Sequence, residues 1–302
     1  MTVYLNFNEK YNNYIIIAND FVSKDDLKSA LNAYNKALEF ATTLDKKIDV
    51  LFEISDIYLI FEEYLSAKIC FEKIIEIDST RSGAYYGVAF TNDFLNGSVE
   101  ESIKYYKLAI EYDDNYDRAY YYLGHCYDKT GDKNAALRCF KKCIDIDSED
   151  YISYNDIGCI YEEQKCYDMA KHYFECSLKI NPNYFRALYN MGVVYKALGD
   201  NNVALEYYFK AKNEEKNPYI YLNISAIYIE LKDFNRAIEI LNEGIEYNPE
   251  SVNLFYNRAC SKARLGDKEG ALLDLKRAVN INKEAYNWAV NDLDLTEVIK
   301  EM

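Results

Sequence analysis

Residues 151–184, YISYNDIGCIYEEQKCYDMAKHYFECSLKINPNY, decide the fold of this chain. The segment contains two short amphipathic stretches. In the second stretch, Ala170 precedes Phe174 by four residues, and in the first, Gly158 precedes Tyr161 by three. Residues three or four apart lie on one face of a helix. The segment therefore predicts two helices joined by a turn, each with one apolar face.

The same pattern recurs along the chain with a period of about 34 residues. A small residue stands four positions before a bulky one in every unit, at Ala30, Ala67, Ser102, Ala136, Ala170, Ala204, Ala237 and Ala271. A second small column lies upstream, at Ala18, Ser55, Ala89, Gly124, Gly158, Gly192, Ser225 and Ala259. Small residues let neighbouring helices approach closely, and a bulky residue fills the space beside them. Such a period indicates an array of stacked helix pairs.

The pattern resembles that of a tetratricopeptide repeat, which has an aromatic residue, Leu-Gly, Tyr, Ala, Phe and Pro in a fixed order. Residues 151–184 match it best, through Tyr154, Ile157, Gly158, Tyr161, Ala170, Phe174 and Pro182. We interpret the chain as eight units, 11–47, 48–81, 82–116, 117–150, 151–184, 185–217, 218–251 and 252–285. Residues 1–10 would be an N-terminal extension, and residues 286–302 would form C-terminal capping helices. The resemblance implies an all-α fold, a right-handed superhelix of antiparallel helix pairs.

Some residues depart from the family pattern. Asn92 stands in the tyrosine column of the third unit, and Arg258 and Lys262 stand in apolar columns of the last unit. Only Pro182 and Pro249 fill the terminal proline column. We expect these departures to loosen the third and eighth units without changing the fold.

The end of the array must be covered, because its last helix would otherwise expose an apolar stripe. The residues predicted to supply this cover, in two further helices, are Trp288, Val290, Leu295, Val298 and Ile299. Asp294 followed by Glu297 predicts a capping box at the start of the second helix. We interpret Trp288 as a buried capping residue rather than a platform for a ligand.

The composition excludes several classes of protein. The 302 residues include 11 Gly and 3 Pro, too few for the many tight turns of an all-β fold. A net charge of −15 opposes binding to nucleic acid or to an anionic membrane surface. The sequence has no apolar run long enough to cross a membrane and no secretory signal. Its 8 cysteines are therefore expected to be reduced thiols in a cytoplasmic protein.

The sequence does not favour catalysis or metal binding. His125, Cys126, Cys139 and Cys143 lie close together along the chain, which suggests zinc. However, their spacing lacks a C-x-x-C pair, and Cys143 occupies the small packing column, so we interpret these thiols as structural. No nucleophile elbow, phosphate-binding loop or dinucleotide motif is present. We expect no enzyme activity, no cofactor and no metal.

A ladder of amides is predicted on the concave surface. In the family, the first helix of each pair, helix A, forms this surface, and the resemblance implies that positions two, five, six, nine, twelve and thirteen of each unit face it. Position six holds Asn190, Asn223 and Asn257 in three successive units, with Asp156 in the unit before. An amide both donates and accepts hydrogen bonds, so such a ladder can bind an extended peptide backbone. The alternative is that these amides lie on a solvated helix face.

Aromatic and charged residues extend the predicted peptide-binding surface. Its other members are Tyr86, Phe90, Tyr121, Tyr122, His125, Arg186 and Tyr189. Aromatic side chains that face a groove are typical anchors for a partner. The alternative for the aromatic residues of the earlier units is packing between adjacent A helices.

Charge changes sign along the same surface. The early units carry acidic residues at Asp49, Glu53, Asp56, Asp93, Asp128, Glu162 and Glu163. The late units carry basic residues at Arg186, Lys196, Lys262 and Arg264. We expect the early units to attract basic segments of a partner, and the late units to attract acidic residues or a terminal carboxylate. The Lys and Asn pattern of the family's chaperone-binding clamp is missing.

These observations predict a non-catalytic scaffold for protein–protein interaction. Its partner would be an extended peptide or protein segment held in the concave groove, with no role for nucleic acid or membrane. The alternative is a regulatory repeat protein, responsive to a peptide or ligand, whose superhelix changes pitch on binding. The sequence leaves the oligomeric state open.

Overall fold

The computed structural model describes residues 6–302, and within them it shows helices joined by short turns and no strand. Odd-numbered helices are the A helices of the pairs, and even-numbered helices are the B helices. The pairs up to Ser148 are α1 Phe7–Ser23 with α2 Leu27–Phe40, α3 Leu44–Ile60 with α4 Tyr64–Ile77, α5 Ser82–Phe94 with α6 Val99–Tyr112, and α7 Asp117–Lys129 with α8 Lys133–Ile146. The all-α fold of consecutive helix pairs is confirmed.

A second compact unit begins at Glu149. Its pairs are α9 Tyr151–Glu163 with α10 Tyr167–Ile180, α11 Phe185–Ala197 with α12 Asn201–Glu214, α13 Pro218–Glu230 with α14 Phe234–Tyr247, and α15 Val252–Arg264 with α16 Lys268–Ile281. A short helix, α17 Glu284–Val290, and two 3₁₀ turns, Leu293–Leu295 and Ile299–Glu301, follow. None of the helices in residues 6–302 is long and apolar enough to cross a bilayer. The division into eight repeats stays a prediction.

Each helix packs on the next one along the chain within its compact unit. The small columns make this close packing possible, as Gly158 of α9 shows. A Cβ atom at Gly158 would lie 2.5 Å from the ring of Phe174 on α10. No carbon atom tolerates such a distance, so the ring of helix B requires a residue without a side chain on helix A.

The turn after helix A needs one residue with a positive φ. Gly131 takes this conformation after α7, with φ of +84°, and Asp132 then caps α8 by accepting from the Ala135 N–H. In other pairs a residue with a side chain does the same, for example Lys165 with φ of +58°. Each such residue costs about 1 kcal/mol of backbone strain. The same turn recurs within every one of the eight described pairs.

Asn92, which was expected to loosen the third repeat, is hydrogen bonded within it. Asn92 is buried, and its amide donates to the Ser98 carbonyl and to the Ser102 hydroxyl, both at 3.0 Å. This pairing explains why Asn92 accompanies Ser102, the one small-column residue of the B helices that can accept a hydrogen bond.

The charged residues of the last repeat form a buried ion cluster. Arg258 donates to both oxygens of Asp274, at 2.8 and 2.5 Å, and the Lys262 ammonium lies 2.8 Å from the same carboxylate. Asp274 is only 5% exposed. Two cations in apolar columns are thus tolerated because a buried carboxylate on α16 faces them.

The predictions for the two ends of the chain are partly wrong. Helix α1 begins at Phe7, within the predicted extension, because Asn6 and Glu9 form a reciprocal capping box, with both hydrogen bonds at 2.8 Å. The rest of that extension, residues 1–5, lies outside the described residues.

At the other end, the second capping helix is replaced by the two 3₁₀ turns. Leu295 and Val298 are buried as predicted, but Trp288 is 40% exposed and Val290 56%. Trp288 lies edge-on to Tyr256, with ring centroids 5.7 Å apart. The capping box is wrong as well, because Asp292, not Asp294, caps this segment.

Candidate functional site

A cavity of about 220 Å³ opens between three successive A helices of residues 149–302. Helix α9, helix α11 and the start of α13 line it with Asn155, Asp156, Cys159, Phe185, Arg186, Tyr189, Asn190, Asn217, Tyr219 and Ile220. Four predicted peptide-binding residues are brought together here, namely Asp156, Arg186, Tyr189 and Asn190. We call the surface that carries Asn155, Asn190, Asn223 and Asn257, on α9, α11, α13 and α15, the amide wall.

Hydrogen-bonded amides form the floor of this cavity. The Asn190 amide donates to the Asn155 side-chain oxygen at 3.0 Å and to the Cys159 sulfur at 3.2 Å. The Asn155 amide in turn donates to Asp156 at 3.1 Å. Asn155 is 2% exposed and was missed by the sequence analysis, although it stands at groove position five of its unit. A search of position five as well as position six would have found it.

The predicted ladder of amides is only partly continuous. The Asn223 amide donates to the Tyr189 hydroxyl of the preceding A helix at 2.7 Å. Burial raises the pKa of that hydroxyl, although the Asn223 hydrogen bond acts in the opposite direction. The Asn257 amide makes no hydrogen bond within the described residues. Two of the three predicted amides are therefore held by neighbouring repeats. Asn190 uses both of its N–H groups and keeps its carbonyl oxygen for another partner, whereas Asn223 keeps a carbonyl oxygen and one N–H.

The aromatic residues predicted to face the groove in repeats 82–116 and 117–150 pack on one another. We call Tyr86 and Phe90 of α5 with Tyr121 and Tyr122 of α7 the aromatic wall. The Tyr122 ring lies 6.0 Å from Tyr86 and 5.4 Å from both Phe90 and Tyr121. The Tyr86 hydroxyl has a raised pKa, chiefly because it is buried. Packing between adjacent A helices, the alternative stated above, is thus observed for these rings.

His125 lies at the edge of the aromatic wall. Its ring is 4.5 Å from Tyr121 and 5.1 Å from Phe140 of α8. With Tyr122 it borders a second cavity of about 220 Å³, whose other residues are Asp93, Asn96, Gly97, Val99, Cys126 and Lys129. The Asp93 carboxylate accepts from the Ser102 and Tyr106 hydroxyls, at 2.5 and 2.8 Å. Both of its oxygens therefore serve the packing of α5 on α6.

Most of the predicted basic residues are paired within the chain. Lys196 pairs with Glu230, Lys262 lies 2.8 Å from Asp274, and Arg264 lies 3.2 Å from Asp294. Arg186 differs, because no carboxylate within residues 6–302 lies within 4.0 Å of its guanidinium. Of the four predicted basic residues, Arg186 is therefore the one that forms no ion pair among the described residues.

The cysteines near His125 lie in the core of the first compact unit, which ends at Ser148. Cys126, Cys139 and Cys143 are buried, and the Cys143 thiol donates to the Asp117 carbonyl at 3.5 Å. Burial raises the pKa of Cys139 to about 11. Among the described residues no three His, Cys, Asp or Glu side chains are grouped so as to hold a metal ion.

The stacked helix pairs, with the amide wall on their A helices, define an α-helical repeat protein. Sequence models described as tetratricopeptide repeats match residues 48–81, 117–150, 151–184, 185–217 and 218–251. These ranges make up more than half of the chain, which therefore belongs to the tetratricopeptide repeat family.

Comparison with individual proteins agrees with this assignment. Anaphase-promoting complex subunit 3 of Schizosaccharomyces pombe is 23% identical over 167 residues, 55% of this chain and 25% of that protein. A UDP-N-acetylglucosamine–peptide N-acetylglucosaminyltransferase of Giardia intestinalis is 28% identical over 149 residues, 48% of this chain and 10% of the enzyme. The structure of PilF from Pseudomonas aeruginosa superposes with a TM-score of 0.59 at 17% identity, over 74% of this chain and 99% of PilF. The chain thus spans a quarter or less of these two curated relatives.

Proposed function

We propose that this chain is a non-catalytic scaffold for protein–protein interaction that binds an extended peptide or protein segment along the amide wall. The observation that carries this proposal is the cavity between α9, α11 and α13, because three successive A helices contribute to it. A ligand that crosses successive repeats must be extended along the array.

The size of the cavity favours a side chain over a cofactor. Pockets for small molecules usually hold roughly 300–1,000 Å³. The cavity here holds about 220 Å³, enough for one apolar or aromatic side chain of a partner. Tyr219, 62% exposed at its rim, supplies an aromatic surface of the kind that is enriched at protein interfaces.

The polarity of the floor favours a peptide backbone beside that side chain. The amide of Asn190 is oriented by Asn155, so it loses little freedom when a ligand binds. The carbonyl oxygen of Asn190 can accept from the N–H of a peptide group, and the neighbouring Asn223 has an N–H that can donate to a peptide carbonyl. Such contacts do not depend on the sequence of the partner.

The relatives support the scaffold rather than an activity. Subunit 3 of the anaphase-promoting complex is by its name part of a multi-protein assembly. The matched glycosyltransferase is an enzyme, but the chain corresponds to only 10% of it. That likeness gives no reason to propose catalysis here.

Peptide selection tests this function. Peptides are selected from a random-peptide phage library on the immobilised chain, and the Kd of an enriched peptide is measured by fluorescence anisotropy. Asn190→Ala removes one amide from the floor and is expected to weaken binding about 3- to 10-fold, the value of one hydrogen bond. The matched control is Asn213→Ala on α12, an exposed amide outside the cavity.

Two results would contradict the proposal. One is that no peptide is enriched over a surface without the protein. The other is that Asn190→Ala and Asn213→Ala bind every enriched peptide as the unaltered chain does.

A further inference from the structure

The cavity of the amide wall is lined by one exposed cation that forms no ion pair with any residue the structure describes. Lys196, Lys262 and Arg264, the other basic residues predicted along this surface, each have a carboxylate partner. Arg186, on the first turn of α11, has none within the described residues. A guanidinium is always charged and presents several N–H donors in one plane.

One aromatic ring lies near this cation, and two more line the same cavity. The guanidinium carbon of Arg186 lies 5.9 Å from the centre of the Phe185 ring. Tyr189 and Tyr219 also line the cavity. A guanidinium that lies near a ring keeps the N–H groups at its edge available for an acceptor. The site therefore offers a charged donor at a cavity that combines aromatic rings with a floor of amides.

From this arrangement we infer that the segment bound by the amide wall carries an Asp or Glu side chain directly beside an apolar or aromatic residue. The carboxylate accepts from the guanidinium of Arg186, and the neighbouring side chain enters the cavity between Phe185, Tyr189 and Tyr219. This inference rests on the proposed function and adds the chemistry of the partner.

The acidic residue of the cavity does not compete for the same position. Asp156 lies on α9, where it accepts from the Asn155 amide at 3.1 Å as part of the floor. Arg186 lies on α11 and is exposed, so its guanidinium is accessible to a carboxylate of the partner. A Lys or Arg side chain in the same place would be repelled, and like charges at an interface are a strong source of selectivity.

Charge reversal tests the inference with the same phage library. Arg186→Glu is expected to weaken the peptides enriched by the unaltered chain at least 10-fold, and to enrich peptides with Lys or Arg in place of Asp or Glu. The matched control is Arg236→Glu on α14, an exposed arginine outside the cavity with the same change in charge. The control is expected to bind the original peptides unchanged.

A double-mutant cycle isolates the proposed pair from effects on folding. Arg186→Gln, which keeps most of the side chain, is combined with a peptide in which the acidic residue is replaced by its amide. Each change alone is expected to weaken binding about 3-fold or more, and the second change is expected to add little once the first is made. Circular dichroism of both variants checks that helix content is retained.

The outcomes separate this inference from the proposed function. Peptides enriched without Asp or Glu, and bound equally by the unaltered chain and Arg186→Glu, would overturn the inference while the scaffold function stands. Additive effects in the cycle would overturn it too. A library that yields no peptide at all would overturn the proposed function itself.

Discussion

The aromatic wall and the amide wall place different residues at the same position of the repeat. Position six is Tyr122 in α7 and Asn190 in α11. The Tyr122 ring contacts Tyr86 and Phe90 on α5. It also contacts Tyr121 on its own helix and Tyr106 on α6. Asn190 instead bonds to Asn155 and borders an open cavity. The side chain at this position therefore decides whether adjacent A helices meet here through packed rings or through hydrogen-bonded amides.

The difference also changes how exposed polar and aromatic residues should be interpreted. Aromatic residues at groove positions suggest binding, yet in the aromatic wall they satisfy one another through ring contacts. Amides at the same positions are typical of a solvated surface. In the amide wall, however, the Asn190 amide is oriented by a hydrogen bond to Asn155. Four predictions are given in order of expected effect, and the second and third compare the two walls directly.

Loss of the Asp274 carboxylate, which binds two cations of α15, should have the largest effect. Asp274→Ala leaves the partly buried Arg258 and Lys262 without their carboxylate, and loss of one partner from a buried ion pair typically costs about 3–5 kcal/mol. We expect urea unfolding of the last repeat to begin at a clearly lower concentration, as followed by hydrogen exchange of α15 and α16. Glu269→Ala, an exposed acidic residue on the same helix, is the control and should change the midpoint little.

Removal of the central ring of the aromatic wall should come second. Tyr122→Ala deletes contacts with four rings and is expected to destabilise the first unit by about 2 kcal/mol, less than for a fully buried aromatic residue. Tyr219→Ala in the amide wall should cost less than about 0.5 kcal/mol, because its ring is mostly exposed. Equal losses in thermal or urea unfolding would remove the distinction between the walls.

An exchange of side-chain type should close the amide wall. Asn190→Tyr places a ring in the cavity, as Tyr122 does in the aromatic wall. We expect peptides selected on the unaltered chain to bind at least 10-fold more weakly, about 1.4 kcal/mol, with helix content unchanged. Binding at full strength would show that the cavity is not where the peptide lies. Asn213→Tyr is the control for the added aromatic surface.

The smallest effect concerns the thiols behind the aromatic wall. Burial raises the pKa of Cys139 to about 11 and that of Cys126 to about 12, so both stay protonated until the pH rises to those values. Because the thiolate is the reactive form, iodoacetamide at pH 8 should modify them more than 10-fold more slowly than the exposed Cys166. Mass spectrometry of digested protein measures the rates, and labelling in urea is the control. Equal rates would show that the first unit opens.

The sequence alone was sufficient for the fold because its determinants are local and repeated. Ala170 and Phe174 belong together on one helix face, and Gly158 is matched to the ring of Phe174 a few residues away. Spacing of three and four residues, with small residues facing large ones, specifies such pairs without any three-dimensional information. The same register indicated Arg186, Tyr189 and Asn190 as neighbours on one surface.

The tertiary structure decided what those side chains do. Asn190 meets Asn155, Arg258 meets Asp274, and Tyr256 meets Trp288 only because stacked helices bring together residues that are distant in sequence. Long polar side chains can take many rotamers, and their partners depend on how each helix is placed against the next. The sequence thus determined the array and its exposed surface. Tertiary packing determined that the groove positions of α5 and α7 meet through rings, while those of α9 and α11 meet through amides beside an arginine that forms no ion pair within residues 6–302.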